Sequence, residues 1–470
     1  MIRMLDPQVI ESIMSAAADI MDNVGVKFDH PRALETFRKH GARIEGTTVK
    51  IPNSMLEKAL ETMPDSEFEV ETRHVGAGAM FGNVPVIYDD EKDVFRRVTL
   101  ADTIKVYKLV ETSDIYESSN PSTVDPEDLH AEDLYTAQLA LYLKYSDKYL
   151  ANGMRAISKN AKNGNIYESA CEGFRLVKEF YGEYSEPVVD QTVCPSPPLG
   201  YDFETLENLF ATIDEGQNLG ICPCSLTCLT GPAGLFEMVV HDAAMALAGV
   251  VLAQLEKPGI SVGLSNSSGA TDMRTMQPTY GSVEATLIQC MFFEFCVYYK
   301  IGGGLCGNLC DAAFPNYQAG VETFLSTFLP YYYIDLDSIW CYPGDLSSWR
   351  CGSFRKAMYD EELIRNINRV FKPLDTTLPA NFNAMLTEAC KNGTFMLSRT
   401  PKSYRRDHYL SKGFSKYGIP GDAEARAKGD IVRMADEEIE RRLKLYEMPE
   451  RTPEQKKLLN RYLPDELKYT

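Results

Sequence analysis

From about residue 100 onward the chain alternates short apolar runs with longer amphipathic ones. That alternation restricts the fold more than any motif does. Strand-like runs fall at 115–119, 149–152, 188–194, 219–224, 260–265, 302–307 and 333–341. Helical spacing of apolar residues follows them at about 131–145, 162–180, 203–216, 233–255, 280–300, 317–330 and 354–370. Seven such pairs are visible, and 394–397 is the candidate for an eighth strand. The pattern predicts a parallel sheet, and eight units close a (β/α)8 TIM barrel. A doubly wound open sheet is the other arrangement, but no GxGxxG or Walker A loop supports nucleotide binding. Gly302-Gly303-Gly304 reads instead as close backbone packing at a strand.

The barrel is expected over 111–400. Before it, 1–110 reads as a helical and β-hairpin extension. Asp6-Pro7 opens a helix that Gly25 ends; a second helix lies at about 31–40 and a third starts after Ile51-Pro52. Runs 84–88 and 94–99 read as a hairpin. After the barrel, 401–470 is a charged helical tail expected to pack on it. The most apolar helix, 235–255, is long enough to suggest a membrane span. It carries Glu237, His241 and Asp242, so a buried barrel helix is expected.

A net charge of -19 argues against nucleic acid and anionic membranes as partners and is compatible with a cationic substrate. The opening MIRMLDPQVI has no apolar core of the secretory kind. The 12 cysteines are therefore expected as reduced thiols in the cytoplasm of an anaerobe. The six histidines are scattered, with no HExxH, and His241 reads as a core residue. Cys222 and Cys224 with Cys228, and Cys306 with Cys310, could gather at neighbouring strand ends. Without CxxC pairs they are better read as free thiols than as a metal site.

In such a fold the loops after the strands build the site. Two consecutive loops each carry a carboxylate, Asp272 and Asp311, with Asn266, Arg274, Tyr280 and Phe314 close by. Asp272 and Arg274 could equally form a structural ion pair. Around the seventh strand Tyr331, Tyr333, Trp340, Tyr342 and Trp349 cluster with Asp335, Asp337, Asp345 and Arg350; both tryptophans of the chain lie here. Such residues either pack a bulky strand or form an aromatic box for a quaternary ammonium, where a ring face contributes about 0.5–2 kcal/mol. Trp340, Tyr342 and Asp345 are the candidates there.

Asp272-Met273-Arg274, Tyr280-Gly281-Ser282-Val283-Glu284-Ala285, Gly302-Gly303-Gly304-Leu305 and Asn316-Tyr317-Gln318-Ala319-Gly320 resemble, in order and spacing, the trimethylamine methyltransferase superfamily. The resemblance covers most of the chain and fades after about residue 350. It implies transfer of a methyl group from a methylated amine to a corrinoid carried by a cognate partner protein, and a tendency to form homo-oligomers. The trimethylamine-specific branch carries pyrrolysine near the end of the seventh strand. This chain has ordinary residues there, so the resemblance points to the branch that demethylates quaternary amines such as glycine betaine, proline betaine, carnitine or γ-butyrobetaine. A quaternary ammonium leaves as a neutral tertiary amine and needs no proton donor. The protein's tasks are then to hold the cation, aim one methyl outward and admit the partner. The residues read alone leave two rivals: an acid–base enzyme using Asp272 and Asp311, or a non-catalytic binder of small cations.

Overall fold

The computed structural model describes residues 4–66, 73–122, 124–150, 156–334, 339–396, 402–411, 413–414 and 430–470. Eight short parallel strands form a barrel: β1 (Gly76–Ala77), β2 (Ser118–Ser119), β3 (Tyr149–Leu150), β4 (Asp190–Val193), β5 (Asn218–Ile221), β6 (Val262–Ser265), β7 (Gly303–Gly304, continued by Cys306–Gly307) and β8 (Trp340–Cys341). Ladders join β4 to β5, β5 to β6, β6 to β7, β7 to β8 and β2 to β3. Closure comes from β8 pairing with β1 (Trp340 opposite Gly76) and from a parallel bridge between Ala77 and Tyr116. The Tyr149 hydroxyl donates to Asp190 (3.2 Å) between β3 and β4.

Each strand is followed by a helix: α1 (Leu100–Glu111), α2 (Leu134–Tyr145), α3 (Ile166–Tyr181), α4 (Phe203–Asp214), α5 (Leu235–Glu256), α6 (Val283–Tyr298), α7 (Tyr317–Phe328) and α8 (Phe354–Phe371). Ser282 and Asn316 cap α6 and α7, each side chain accepting an N–H three residues on, so these helices start sharply after the site loops.

The expected eighth strand is corrected. Thr394–Met396 form no strand, and Leu397 lies outside the described residues. The place is taken by β1, inside the segment assigned to the N-terminal extension. Two small residues carry no periodicity that could mark them as a strand. The expected seventh strand also changes: Pro330–Tyr333 is a helical turn, and among the described residues the strand is Trp340–Cys341. Asp335 and Asp337 lie outside the described residues.

The hairpin appears as Val86–Asp89 against Val94–Arg97. The N-terminal helices Pro7–Asp19, Pro31–Lys39 and Asn53–Thr62 pack on α5. This explains why α5 is apolar on all sides: one face meets the barrel and the other is covered, leaving 83% of its most apolar stretch buried. At the other end, the helix Ile431–Leu445 packs on α1 and α8. There Arg442 and Glu361 form a buried ion pair at 2.8 Å, whose partners would be left as uncompensated charges if separated.

Candidate active site

A cavity of about 630 Å³ opens at the C-terminal ends of the strands. Barrel interiors are normally filled by layers of branched side chains. Here Gly220, Gly263, Gly303 and Gly304 of β5–β7 line the space instead, so the cavity sinks into the barrel.

Aromatic rings form one wall. Trp340 of β8 lies so close over Gly78 that a Cβ there would come within 2.0 Å of its ring. Tyr342 and Trp349 continue the wall. Trp349 packs on Tyr280 with centroids 4.7 Å apart, and Tyr342 meets it edge-on at 6.3 Å. Trp349 ends three successive left-handed residues, Ser347, Ser348 and Trp349, with φ of 52°, 57° and 62°. Non-glycine residues in this region cost of order 1–3 kcal/mol each, and such strain gathers at functional sites.

Beside the rings the cavity is lined with sulfur. Cys194, Cys222, Cys224 and Cys306 from the ends of β4, β5 and β7 all line the cavity. Cys224 Sγ lies 3.8 Å from Cys194 Sγ, and Ser267 Oγ lies 3.3 Å from Cys222 Sγ and 3.8 Å from Cys306 Sγ. Contact with Cys194 first, then burial, pushes the Cys222 and Cys224 thiols up, and burial raises Cys306. Three of the four thiols, Cys222, Cys224 and Cys306, are thereby held in the neutral form. Of the cysteines expected to join them, Cys228 is exposed, and Cys310 is buried apart from them with Ala312 and Leu346. The cavity carboxylates have partners: Asp190 accepts from Asn218 (2.8 Å) and Tyr149, and Asp125 pairs with Lys159 (3.1 Å).

Of the ten candidate residues, Trp340 and Tyr342 line the cavity. Asn266 does not: it is buried and donates to Asp242 (2.8 Å), which also accepts from Ser225 and Ser268. His241 is buried beside Asp242, its Nδ1 at 3.0 Å. Asp272 and Arg274 form the structural ion pair, at the tip of the hairpin Ala270–Asp272/Gln277–Thr279. Arg274 Nε and Nη2 reach the two Asp272 oxygens at 2.9 and 2.8 Å. Those bonds hold the Asp272 carboxyl down at about 2, and Arg274 is 88% exposed. Arg350 is exposed as well, bonded to Gln277 (2.8 Å). Phe314 is half exposed, 6.5 Å from the Tyr88 ring. Tyr331 faces away, its hydroxyl on the His74 carbonyl.

Asp311 and Asp345 stand behind the wall. Asp311 accepts from the Tyr280 amide (2.8 Å), the Gly281 amide (3.0 Å) and the Ser348 hydroxyl (2.6 Å). Burial raises its pKa against those bonds. Asp345 accepts from the Gly82 amide (3.0 Å), and burial pushes its carboxyl up to about 8. Both carboxylates hold backbone. Trp349, Cys194, Asp190 and Lys159 are among the lining residues the sequence reading left off its site; the tryptophan pair within ten residues was the available signal for the first.

A family model described as trimethylamine methyltransferase (MTTB) matches residues 1–466. The chain belongs to the trimethylamine methyltransferase family. The match runs past the point near residue 350 where motif resemblance fades. Relatives in this family include the proline betaine:corrinoid methyltransferase of Eubacterium limosum, 36% identical with 98% of this chain and 97% of the relative covered. The L-carnitine:corrinoid methyltransferase of the same organism is 33% identical, with 98% and 96% covered. The glycine betaine methyltransferase of Desulfitobacterium hafniense (strain Y51) is 24% identical, with 85% and 84% covered. Among solved structures, the monomethylamine methyltransferase of Methanosarcina barkeri superimposes with a TM-score of 0.51 at 8% identity, over 95% of this chain and 89% of that one. That likeness concerns the barrel. In barrels of this kind active sites lie at the C-terminal ends of the strands.

Proposed function

We propose that this chain is a quaternary amine:corrinoid protein methyltransferase acting on a betaine-type substrate. It moves one N-methyl group to the cobalt of a cognate corrinoid protein that docks at the barrel mouth. The observation that carries the reading is the cavity's composition: three aromatic rings, Trp340, Tyr342 and Trp349, beside the raised thiols of Cys222, Cys224 and Cys306, with the nearby carboxylates already bonded. Ring faces attract a quaternary ammonium. Thiols kept protonated add polarisable surface without a full negative charge. A strongly acidic pocket would stabilise the cation and so oppose its discharge to a neutral tertiary amine. This site holds the cation softly and leaves the reaction to positioning.

A betaine also carries a carboxylate. Arg274, Asn266 and Arg350 are placed too far out or too deep to meet it. Lys159 is the basic side chain among the described lining residues, and Asn120 and Gln138 line the same space. These are the groups for the anionic end, with Lys159 offering the substrate carboxylate a second of its three N–H donors while it keeps Asp125. Proline betaine and carnitine are the first amines to offer, because the relatives that cover nearly the whole chain act on them.

The test is spectroscopic. The protein is mixed with a Co(I)-reduced corrinoid protein from the same organism and a panel of quaternary amines plus trimethylamine. Loss of the Co(I) absorbance with one betaine and none with trimethylamine is the expected result. No change with any amine would overturn the reading.

A further inference from the structure

Trp349 is held from two sides by carboxylates that do not themselves line the cavity. We propose that Asp311 and Asp345 are positioning residues that fix the Trp349 ring as a rigid wall of the cavity and thereby set its affinity for a quaternary ammonium. This rests on the reading of the cavity as the amine site.

The first clamp starts at Asp311. Its Oδ1 takes the Ser348 hydroxyl at 2.6 Å, closer than the Pro278 carbonyl at 3.1 Å, so the single hydroxyl proton goes to the carboxylate. The same carboxylate takes the Tyr280 and Gly281 amides. It therefore fixes both the residue preceding Trp349 and the ring on which Trp349 packs. Gly281 permits this approach: a Cβ there would lie 3.0 Å from the Asp311 nitrogen. Asp311 is itself anchored, since Glu322 of α7 accepts its amide at 2.7 Å. Backbone bonds from Ser347 to the Ala312 carbonyl (3.0 Å) and from Ser348 to the Cys310 carbonyl (2.8 Å) complete the hold on the left-handed segment. The Ser347 and Ser348 contacts join the loop after β7 to the loop after β8, and the Tyr280 and Gly281 amides tie the loop after β6 to the same carboxylate. Without them the three left-handed residues would relax and carry the indole away.

The second clamp is Asp345. Its Oδ1 holds the Gly82 amide, and Gly82 is where the other edge of Trp349 passes. A Cβ on Gly82 would sit 2.6 Å from Trp349 Cδ1, 2.9 Å from Nε1 and 3.0 Å from Asp345 Oδ2. Asp345 Oδ2 and Trp349 Nε1 are both buried without an aligned hydrogen-bond partner. The two side chains nonetheless interact, the Trp349 N–H favouring the ionised form of Asp345. A small shift of the ring along the Gly82 backbone changes both environments at once, which makes Trp349 a sensitive reporter of this clamp.

The experiment uses the full chain. The chain has two tryptophans, so Trp340→Phe leaves Trp349 as the only indole. In that background, acrylamide quenching is measured without substrate for Asp311→Asn, Ser348→Ala, Asp345→Ala and Asp345→Asn. In the native background the same four variants are assayed for KM and kcat of methyl transfer. The expected result is quenching raised about twofold or more in Asp311→Asn, Ser348→Ala and Asp345→Ala, with near-native quenching restored in Asp345→Asn. KM should rise about tenfold in the first three while kcat changes less than about threefold. Ser348→Ala keeps both amide bonds of Asp311 and decides the matter if Asp311→Asn does not fold. Unchanged quenching and KM in Ser348→Ala and Asp345→Ala would overturn the proposal. Quenching is read without amine, so the clamp can fail while a betaine is still turned over. Equally, it can hold when no betaine is accepted.

Discussion

Asp272 and Asp311 look alike in the sequence, each a carboxylate in a polar loop after a glycine-containing strand, yet the fold uses them in opposite ways. Asp272 is paired locally at a hairpin tip with an arginine two residues on, and its carboxyl is held down at about 2. Asp311 is paired with residues 30, 31 and 37 positions away, and burial raises its pKa. A local pair shapes one turn and is screened by solvent. A partly buried acceptor of three distant donors ties the loops after β6, β7 and β8 into one wall. Polar residues near a site therefore divide by the sequence distance of their partners, and Asp345, bonded to Gly82, falls with Asp311.

The comparison is broken most severely at Asp311. Asp311→Ala leaves the Tyr280 and Gly281 amides without an acceptor, at about 1–3 kcal/mol for each, and returns the Ser348 hydroxyl to the Pro278 carbonyl. A loss of about 3 kcal/mol or more in denaturant unfolding is expected; a loss below 1 kcal/mol would put Asp311 in the same class as Asp272.

Asp345 sharpens the contrast through pH. Its carboxyl is raised to about 8 by burial, with Lys356 pulling it down and Asp360 pushing it up. A raised acid contributes stability that is complete below the ordinary carboxylate range and is lost as pH rises through the folded value. Relative to Asp345→Asn, the native chain should lose about 2 kcal/mol between about pH 5.5 and 7, following about 1.4 kcal/mol per unit. Parallel stability curves for the two proteins would show that Asp345 is ionised throughout.

Gly82→Ala should displace the Trp349 edge and raise KM for the amine about tenfold, or about 1.4 kcal/mol. An unchanged KM would mean that the ring position is not what sets affinity. The smallest effect belongs to the hairpin tip. Asp272→Ala and Arg274→Ala should melt with the native protein and turn over substrate at the same KM, and a changed KM would bring that pair back to the site.

The barrel was legible because seven of its βα units announce themselves: long helices with apolar stripes follow apolar strand runs. Its first strand was not, because Gly76–Ala77 is held by main-chain pairing to β8 and a bridge to Tyr116, which leaves no side-chain pattern. The site was half legible. Trp340 and Tyr342 were legible from the aromatic cluster at the end of the seventh strand. Trp349 escaped the candidate set because three left-handed residues fold Ser347, Ser348 and Trp349 back toward the cavity, and Ser-Ser-Trp gives no sign of that turn. Asp311, Asp345 and Asn266 were assigned to substrate because residue type shows that a polar group is present and not what it bonds to. Their partners are set by loops that meet only in the closed barrel.

The central claim is that this wall binds a fixed positive charge. Both tryptophans of the chain stand in it, so intrinsic fluorescence reads binding directly. Titration with glycine betaine, proline betaine and carnitine is compared with 3,3-dimethylbutanoate, the carbon isostere of glycine betaine that lacks the ammonium charge. The account expects saturable fluorescence change with at least one betaine, and affinity for the isostere weaker by about tenfold or more relative to that betaine, since each ring contributes about 0.5–2 kcal/mol to a cation. Equal affinity for the charged and uncharged ligands, or no response to any betaine, would contradict it.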